Sequence, residues 1–334
     1  MKWIKRLAKG AGVLVLFTLL AGIGYEQWAR WNVSRTFPPP GVLYEVDDRL
    51  SHLQCSGEGA PTVVLEAGLD VGGSVSWSGI YPDLAESGRV CAYDRAGIMW
   101  SQGRRSPRDA ANIADELHSL LDVASETPPY VMVGHSLGGL LIRVFDDRFP
   151  GEVAGFVFVD ASHPEQVERL PPEWAEAGTP SPLLIRTLST LGVLRLTSPS
   201  SGPEALPPQS GEALSAFTPR SLQGAMREMD AIDLILGQAR ATGPLGDRPV
   251  VVLTAARQPD PLPPGLSEDT WNRMQAVWPE LQAELAALST NSDHRVFPNA
   301  THYVHWDEPA AVVTAVRDVV TAAREGGSVR ADNR

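Results

Sequence analysis

The residues best suited to chemistry lie in VMVGHSLGGLL, residues 131 to 141, where an apolar run meets a serine set between glycines and then resumes. Gly134-His135-Ser136-Leu137-Gly138 joins a predicted strand, YVMVG (130–134), to a predicted helix, LGGLLIRVFDDRFP (137–150). A turn that tight needs minimal side chains around the serine. It projects Ser136 Oγ off the sheet, beside the start of the next helix. Such a hydroxyl is a weak nucleophile until a base takes its proton and a carboxylate orients that base.

Four histidines bear on the base. His135, on the turn itself, should point away from Oγ and pack. His294 comes before its strand, at the wrong edge of the sheet. His302, in PNATHYVHWDEP, follows the last strand and precedes the last helix, which delivers its ring to the edge where Ser136 sits. His305 is the reserve, with a structural role expected. Two aspartates end strands on that edge. Asp160 closes GFVFVD (155–160), and Asp260 lies in ARQPDPLPP beyond VVVLTA. Either gives the chain order Ser, Asp, His; Asp160 could instead cap a loop beside Ser162. Acyl transfer also needs donors for a developing oxyanion. The Leu137 N–H is one candidate, and Leu69, in EAGLDVGG after the third strand, offers the best-placed second amide.

The elements that would position these groups alternate. VLYEVDD and LSHLQC read as a starting hairpin, and TVVLEAG (62–68), RVCAYD (89–94) and RPVVVLTA (248–255) as buried strands. WSGIYPDLAES, ANIADELHSLLDVA, a segment around 270–287 and a last segment from Glu308 to about Arg324 have helical spacing. Strands alternating with helices imply a mostly parallel sheet covered on both faces. Residues 42–325 form this domain. The rhythm breaks over about 164–246, where proline-rich and helical pieces read as an inserted helical cap. EGGSVRADNR closes the chain, with 326–334 expected to be a disordered tail.

Before the domain, Lys2, Lys5, Arg6 and Lys9 precede an uncharged apolar run from Gly10 to Tyr25, and Trp28 and Trp31 follow it. Residues 1–31 read as a signal or membrane anchor, and 32–41, NVSRTFPPPG, as a linker. The missing A-x-A pattern and the interfacial tryptophans favour an uncleaved anchor, with the domain outside the cytoplasm by the positive-inside rule. A cleaved signal and a secreted protein is the alternative. With 28 Lys and Arg against 40 Asp and Glu, the chain carries a net charge of −12, which argues against nucleic acid as a partner. His and Cys show no zinc-like spacing, and no G-x-G-x-x-G follows a strand. No metal or organic cofactor is expected. The two cysteines, Cys55 and Cys91, can pair in one way only, which suits an exported domain, or can be buried thiols. Oligomeric state is not legible.

Taken together, GHSLGG, VVLEAG, CAYDRAGIMWS, VFVDASHP and the late THY make the chain resemble the α/β-hydrolase fold family over most of residues 42–325. The resemblance implies Ser136 as nucleophile, His302 as base and the Leu69 and Leu137 amides as oxyanion hole. Two departures stand out. Ala67-Gly68 occupies the place where most relatives carry His-Gly. The acid usually follows the strand leading here to Asp260, whereas a subset that includes some haloalkane dehalogenases places it where Asp160 stands. Asp160 is preferred, with Asp260 second. In this family the strands carrying Cys55 and Cys91 are neighbours, so a disulfide is implied. The expected activity is hydrolysis of a carboxylic ester or related small acyl substrate. Alternatives are a thioesterase, amidase or peptidase, C–C hydrolase or haloperoxidase-like enzyme, or a non-catalytic membrane-tethered binding protein.

Overall fold

The computed structural model describes residues 2–104, 106–176, 181–197, 201–262 and 265–329. Its frame is one sheet of eight strands: β1 (Val42–Val46), β2 (Arg49–Ser56), β3 (Thr62–Glu66), β4 (Val90–Tyr93), β5 (Tyr130–His135), β6 (Val153–Val159), β7 (Val250–Ala255) and β8 (Ser292–Phe297). The spatial order is β1-β2-β4-β3-β5-β6-β7-β8. The first two strands form a hairpin, β2 pairs antiparallel with β4, and every later pairing is parallel.

Both faces are covered, which is why the central strands read as unbroken apolar runs. Val131 and Val133 of β5 and Val157 and Val159 of β6 face one core. That core is completed by α2 (Tyr81–Ser87) and α13 (Pro309–Glu325). Tyr130, Met132, Phe156 and Phe158 face the other. There α3 (Ala110–Val123), α4 (Gly138–Arg148) and α11 (Glu268–Ala287) pack, with Leu117, Phe145 and Leu285 among the contacts. Cys55 and Cys91 stand directly opposite each other on β2 and β4, 4.2 Å apart at Cα, and are disulfide-bonded.

Between β6 and β7 the regular elements among the described residues are all helices, apart from an isolated bridge between Gly246 and Ser289. The helices are α5 (Gln166–Arg169), α6 (Pro172–Glu176), α7 (Pro182–Thr190), α8 (Val193–Thr197), α9 (Pro208–Met229) and α10 (Ile232–Arg240). Residues 177–180 and 198–200 of the expected cap lie outside the described residues. The helix α9 packs over Ile98, Met99 and Trp100, while α10 packs on α4 through Ile235 and Leu236. A short helix, α12 (Val304–Asp307), precedes α13.

At the N-terminus α1 runs unbroken over Lys2–Thr36, long and apolar enough to cross a membrane. The first five residues of the expected linker are therefore helical, and helix gives way at Phe37, before Pro38, where the proline ring disfavours α geometry in the preceding residue. At the other end, the start of the expected tail is tied down. The Val329 N–H donates to Asn291 Oδ1 at 3.0 Å and its side chain is buried, while 330–334 lie outside the described residues.

Candidate active site

The glycine spacing around Ser136 has a steric cause. A Cβ on Gly134 would lie 2.7 Å from the Gly138 carbonyl, and one on Gly138 would lie 2.4 Å from the Glu66 carbonyl oxygen. Neither contact is one a real side chain makes, so the elbow closes only with bare backbone at both positions. Ser136 itself takes φ +50°, a conformation that L-residues adopt rarely and chiefly where the surroundings enforce it. Its backbone is pinned to β6 and the loop beyond: the Ser136 N–H donates to Val159 O at 3.2 Å, and Ser136 O accepts from Ser162 N–H at 2.9 Å.

Of the two candidate acids, Asp160 meets the histidine. His302 Nδ1 lies 2.7 Å from Asp160 Oδ2. The other carboxylate oxygen, Oδ1, accepts from the Ala255 N–H at 3.0 Å and from Trp278 Nε1 at 2.9 Å. Asp160 is buried and also adopts a positive φ, +40°. Asp260 is exposed beside its proline and makes no contact with His302 among the described residues. His294 lies inside β8 rather than ahead of it. The β7–β8 ladder begins at Ser292, and His294 Nε2 is 2.8 Å from Thr254 Oγ1, away from Ser136.

The remaining two histidines support the site from beneath. His135 Nε2 is 3.0 Å from the carbonyl oxygen of His302, so the residue before Ser136 holds the loop that carries His302. His305 is buried between His135 and Trp77, each ring centroid 4.6 Å away, and neither ring nitrogen has a hydrogen-bond partner among the described residues. Burial first, and His302 second, hold the His305 pKa down to about 3. Burial, then His305 and His302, push His135 well below the ordinary histidine value. Both rings are neutral in the fold.

That neutrality fixes a pH dependence. In the unfolded chain each ring binds a proton near pH 6.5; in the fold it does not until far lower. The unfolded state therefore takes up more protons below pH 6.5, and folding stability, complete above that value, falls as pH drops towards 3. Each histidine costs about 1.4 kcal/mol per pH unit in that window. Thermal midpoints measured from pH 7.5 to 4.5 should fall steeply below 6.5, and His305→Leu should flatten the decline by about one histidine's share. An unaltered slope in that variant would refute the assignment.

The loop from Ala67 to Gly73 carries the second candidate oxyanion donor. Gly68 lies against the elbow, since a Cβ there would be 3.0 Å from Ser136 Cβ. Asp70 closes the loop by accepting from the Gly72 and Gly73 N–H groups at 2.8 and 3.1 Å and from Ser76 Oγ at 3.0 Å. Neither the Leu69 nor the Leu137 N–H donates to a protein acceptor among the described residues.

Arg95 orders this loop. Its Nη1 donates to Ala67 O at 2.7 Å and Glu66 Oε1 at 2.6 Å. Its Nη2 donates to Gly68 O at 2.6 Å and Glu228 Oε2 at 2.8 Å, and Nε to Glu228 Oε1 at 2.9 Å. All five guanidinium donors are used, which no lysine could match. In a trans peptide the C=O and the following N–H point in opposite directions. Holding Gly68 O towards Arg95 thus turns the Leu69 N–H away from it. The residue is wholly buried, and the carboxylates of Glu228 and Glu66 raise its pKa well above the usual arginine range against the cost of desolvation.

Sequence reasoning assigned no role to Arg95, Glu66, Glu228 or Trp278. A signal existed for the first two. Glu66 ends the apolar strand TVVLE, and Arg95 follows the strand VCAY by two residues, so neighbouring strand ends present opposite charges at the same sheet edge. Glu228 and Trp278 sit on long helices far away in sequence, with nothing local to mark them.

Comparison with known proteins bears on the family and the fold. A family model described as the alpha/beta hydrolase family matches residues 59–315. The uncharacterised protein YqjL of Bacillus subtilis (strain 168) is 25% identical over 283 residues, covering 84% of this chain and 92% of that one. The human (lyso)-N-acylphosphatidylethanolamine lipase is 28% identical over 138 residues, 38% of this chain and 39% of the lipase. Some curated relatives are matched over only a part: the chain spans 17% and 28% of the length of two of them. Among solved structures, a thermophilic esterase from Thermogutta terrifontis superposes with a TM-score of 0.56 at 18% identity, covering 82% of this chain and 94% of the esterase. That likeness shows the fold.

Proposed function

The chain belongs to the α/β-hydrolase family, and from that premise we propose that it is a serine hydrolase that cleaves a carboxylic ester or related acyl substrate. The observation that carries the reading is the 2.7 Å contact of His302 Nδ1 with the buried Asp160, on the sheet edge where Ser136 stands at positive φ. In the proposed reaction His302 Nε2 takes the Ser136 hydroxyl proton as Oγ bonds to the acyl carbon. The carbonyl π electrons move onto oxygen, and the Leu69 and Leu137 N–H groups receive that oxyanion. Imidazolium then returns the proton to the leaving alkoxide as the acyl–oxygen bond breaks. Water repeats the sequence on the acyl-enzyme, releasing the acid and free Ser136. Asp160 stays ionised throughout, holding the His302 tautomer and balancing the imidazolium charge. Every proton and electron pair in this cycle is accounted for by the three side chains, the substrate and water.

The same reading places the protein on a membrane through α1, with the catalytic domain on the extracytoplasmic side. Basic residues precede the apolar run, and a disulfide suits an exported domain. The described helices between β6 and β7 act as a cap over the Ser136 edge. The similarity to a human phospholipid lipase supports lipid-like esters among the substrates.

A fluorophosphonate probe tests the central claim. Wild type should label, Ser136→Ala should not, and His302→Ala should label at least about 100-fold more slowly, the scale on which general-base catalysis operates. Labelling that survives Ser136→Ala would overturn the mechanism.

A further inference from the structure

We propose that the α7–α8 corner of the cap is a membrane-contacting face that rests on the outer surface of the bilayer crossed by α1. The proposal goes beyond anchoring, because it assigns a lipid partner to a surface of the folded domain; its substrate consequence rests on the hydrolase reading above.

The height of the cap over the membrane is set by packing against α1. Leu191, at the end of α7, sits so close to α1 that a Cβ on Gly22 would lie 2.5 Å from the Leu191 carbonyl oxygen. Gly192 abuts the same turn, near Tyr25 and Glu26. One turn further along, Glu26 is completely buried beneath the cap. Its Oε1 accepts from Arg30 Nε at 2.7 Å, and its Oε2 from Arg195 Nε of α8 at 2.8 Å. Arg195 Nη1 in turn donates to Ala216 O of α9 at 2.8 Å. A buried carboxylate shared by two arginines makes this a fixed joint rather than a loose tether.

Counting along α1 gives the depth. The uncharged run from Gly10 to Tyr25 rises about 23 Å, and with the basic side chains before it snorkelling to the inner headgroups it matches the ~30 Å hydrocarbon thickness of a bilayer. If the apolar segment spans, Gly22 lies where hydrocarbon gives way to headgroups, and Leu191 lies at the same level. Trp28 and Trp31, both exposed, follow in the next turns, where interfacial aromatics belong.

The surface chemistry of the corner agrees. Leu183 and Leu196 are 75% and 73% exposed, more than any other large apolar side chain outside α1 among the described residues, and Leu184 and Val193 beside them are exposed as well. In water that is an unfavourable patch; against acyl chains and headgroups each leucine gains burial. The cap that covers Ser136 is therefore seated on the lipid, and an ester dissolved in the bilayer can reach the site without crossing water.

Full-length protein carrying Leu196→Cys, labelled on that thiol with nitrobenzoxadiazole, tests this in phosphatidylcholine vesicles. The native cysteines are bonded to each other and leave the new thiol the target. Doxyl-labelled phosphatidylcholine should quench the probe at least about twofold more than a probe at Leu234→Cys, which is exposed on α10, the helix that packs on α4. Equal quenching at the two positions, high or low, overturns the proposal. A second variant, Leu183→Ser/Leu184→Ser/Leu196→Ser, should hydrolyse a vesicle-borne long-chain ester about 5-fold more slowly or worse, yet leave p-nitrophenyl acetate turnover unchanged. Equal loss on both esters would overturn it too. If wild type hydrolyses neither ester, the hydrolase reading fails while the quenching result still decides the membrane face.

Discussion

Asp160→Asn is expected to lower kcat about 10,000-fold while Asp260→Asn stays close to wild type. The size of the effect comes from the hydrogen bonds on the far side of the carboxylate. Asp160 Oδ1 accepts from two fixed donors, the Ala255 N–H and the Trp278 indole. An asparagine must satisfy both with its single carbonyl oxygen, which leaves its NH2 facing His302 Nδ1. That NH2 can only donate, so Nδ1 must be the unprotonated nitrogen and the ring proton moves to Nε2. The imidazole then presents N–H, not a lone pair, to Ser136 and cannot take its proton. Turnover of a p-nitrophenyl ester, measured as kcat and KM separately, checks this. The loss should fall on kcat, because substrate binding does not involve the tautomer. Comparable losses in the Asp160 and Asp260 variants would sink the assignment.

How much of this was legible beforehand varies with the physical origin of each feature. The elbow could be read from the chain because its constraint is local: residues 134 and 138 approach their neighbours so closely that only glycine fits. The sheet could be read because strands buried on both faces must be apolar along their length, as VVL, VMV and FVFV are. The choice between Asp160 and Asp260 could not be derived from the residues alone. Both end strands on one edge, and what separates them is the path of the chain after each strand, with Trp278 reaching back from α11 to hold one of them. His294 was placed ahead of its strand because Ser292 and Asp293, which open β8 at the sheet edge, are half-exposed and need no apolar signature. The five-donor cluster at Arg95 was missed because its partners come from two parts of the chain far from it in sequence, residues 66–68 and Glu228.

Arg95→Met should be the most damaging substitution outside the three proposed catalytic side chains, and it should act on stability and turnover together. Removing the guanidinium leaves Glu66 and Glu228 buried without their counter-charge, a change that costs about 3–5 kcal/mol where one partner of a buried ion pair is lost. Burial already raises the Glu66 pKa above the ordinary carboxylate value even with Arg95 beside it, the arginine and Tyr93 pulling it down. Without Arg95 that restraint goes, so the folded carboxyl is raised further. A raised folded pKa gives stability present at low pH and lost as pH rises, so the gap between wild type and variant should widen from pH 5 to pH 8. The effect on turnover follows from the peptide linking Gly68 and Leu69. Once Gly68 O is released, the Leu69 N–H is no longer held in one direction, and losing a single oxyanion donor costs about 100- to 1,000-fold in kcat. Glu228→Gln keeps an acceptor for the same guanidinium and should lose much less on both counts. Denaturation midpoints at two pH values and kcat on a soluble ester separate the two consequences. A variant that is destabilised but turns over normally would show that Arg95 supports the fold alone. A fall in kcat with KM nearly unchanged, milder in Glu228→Gln, is the result that a hole aimed by Arg95 requires.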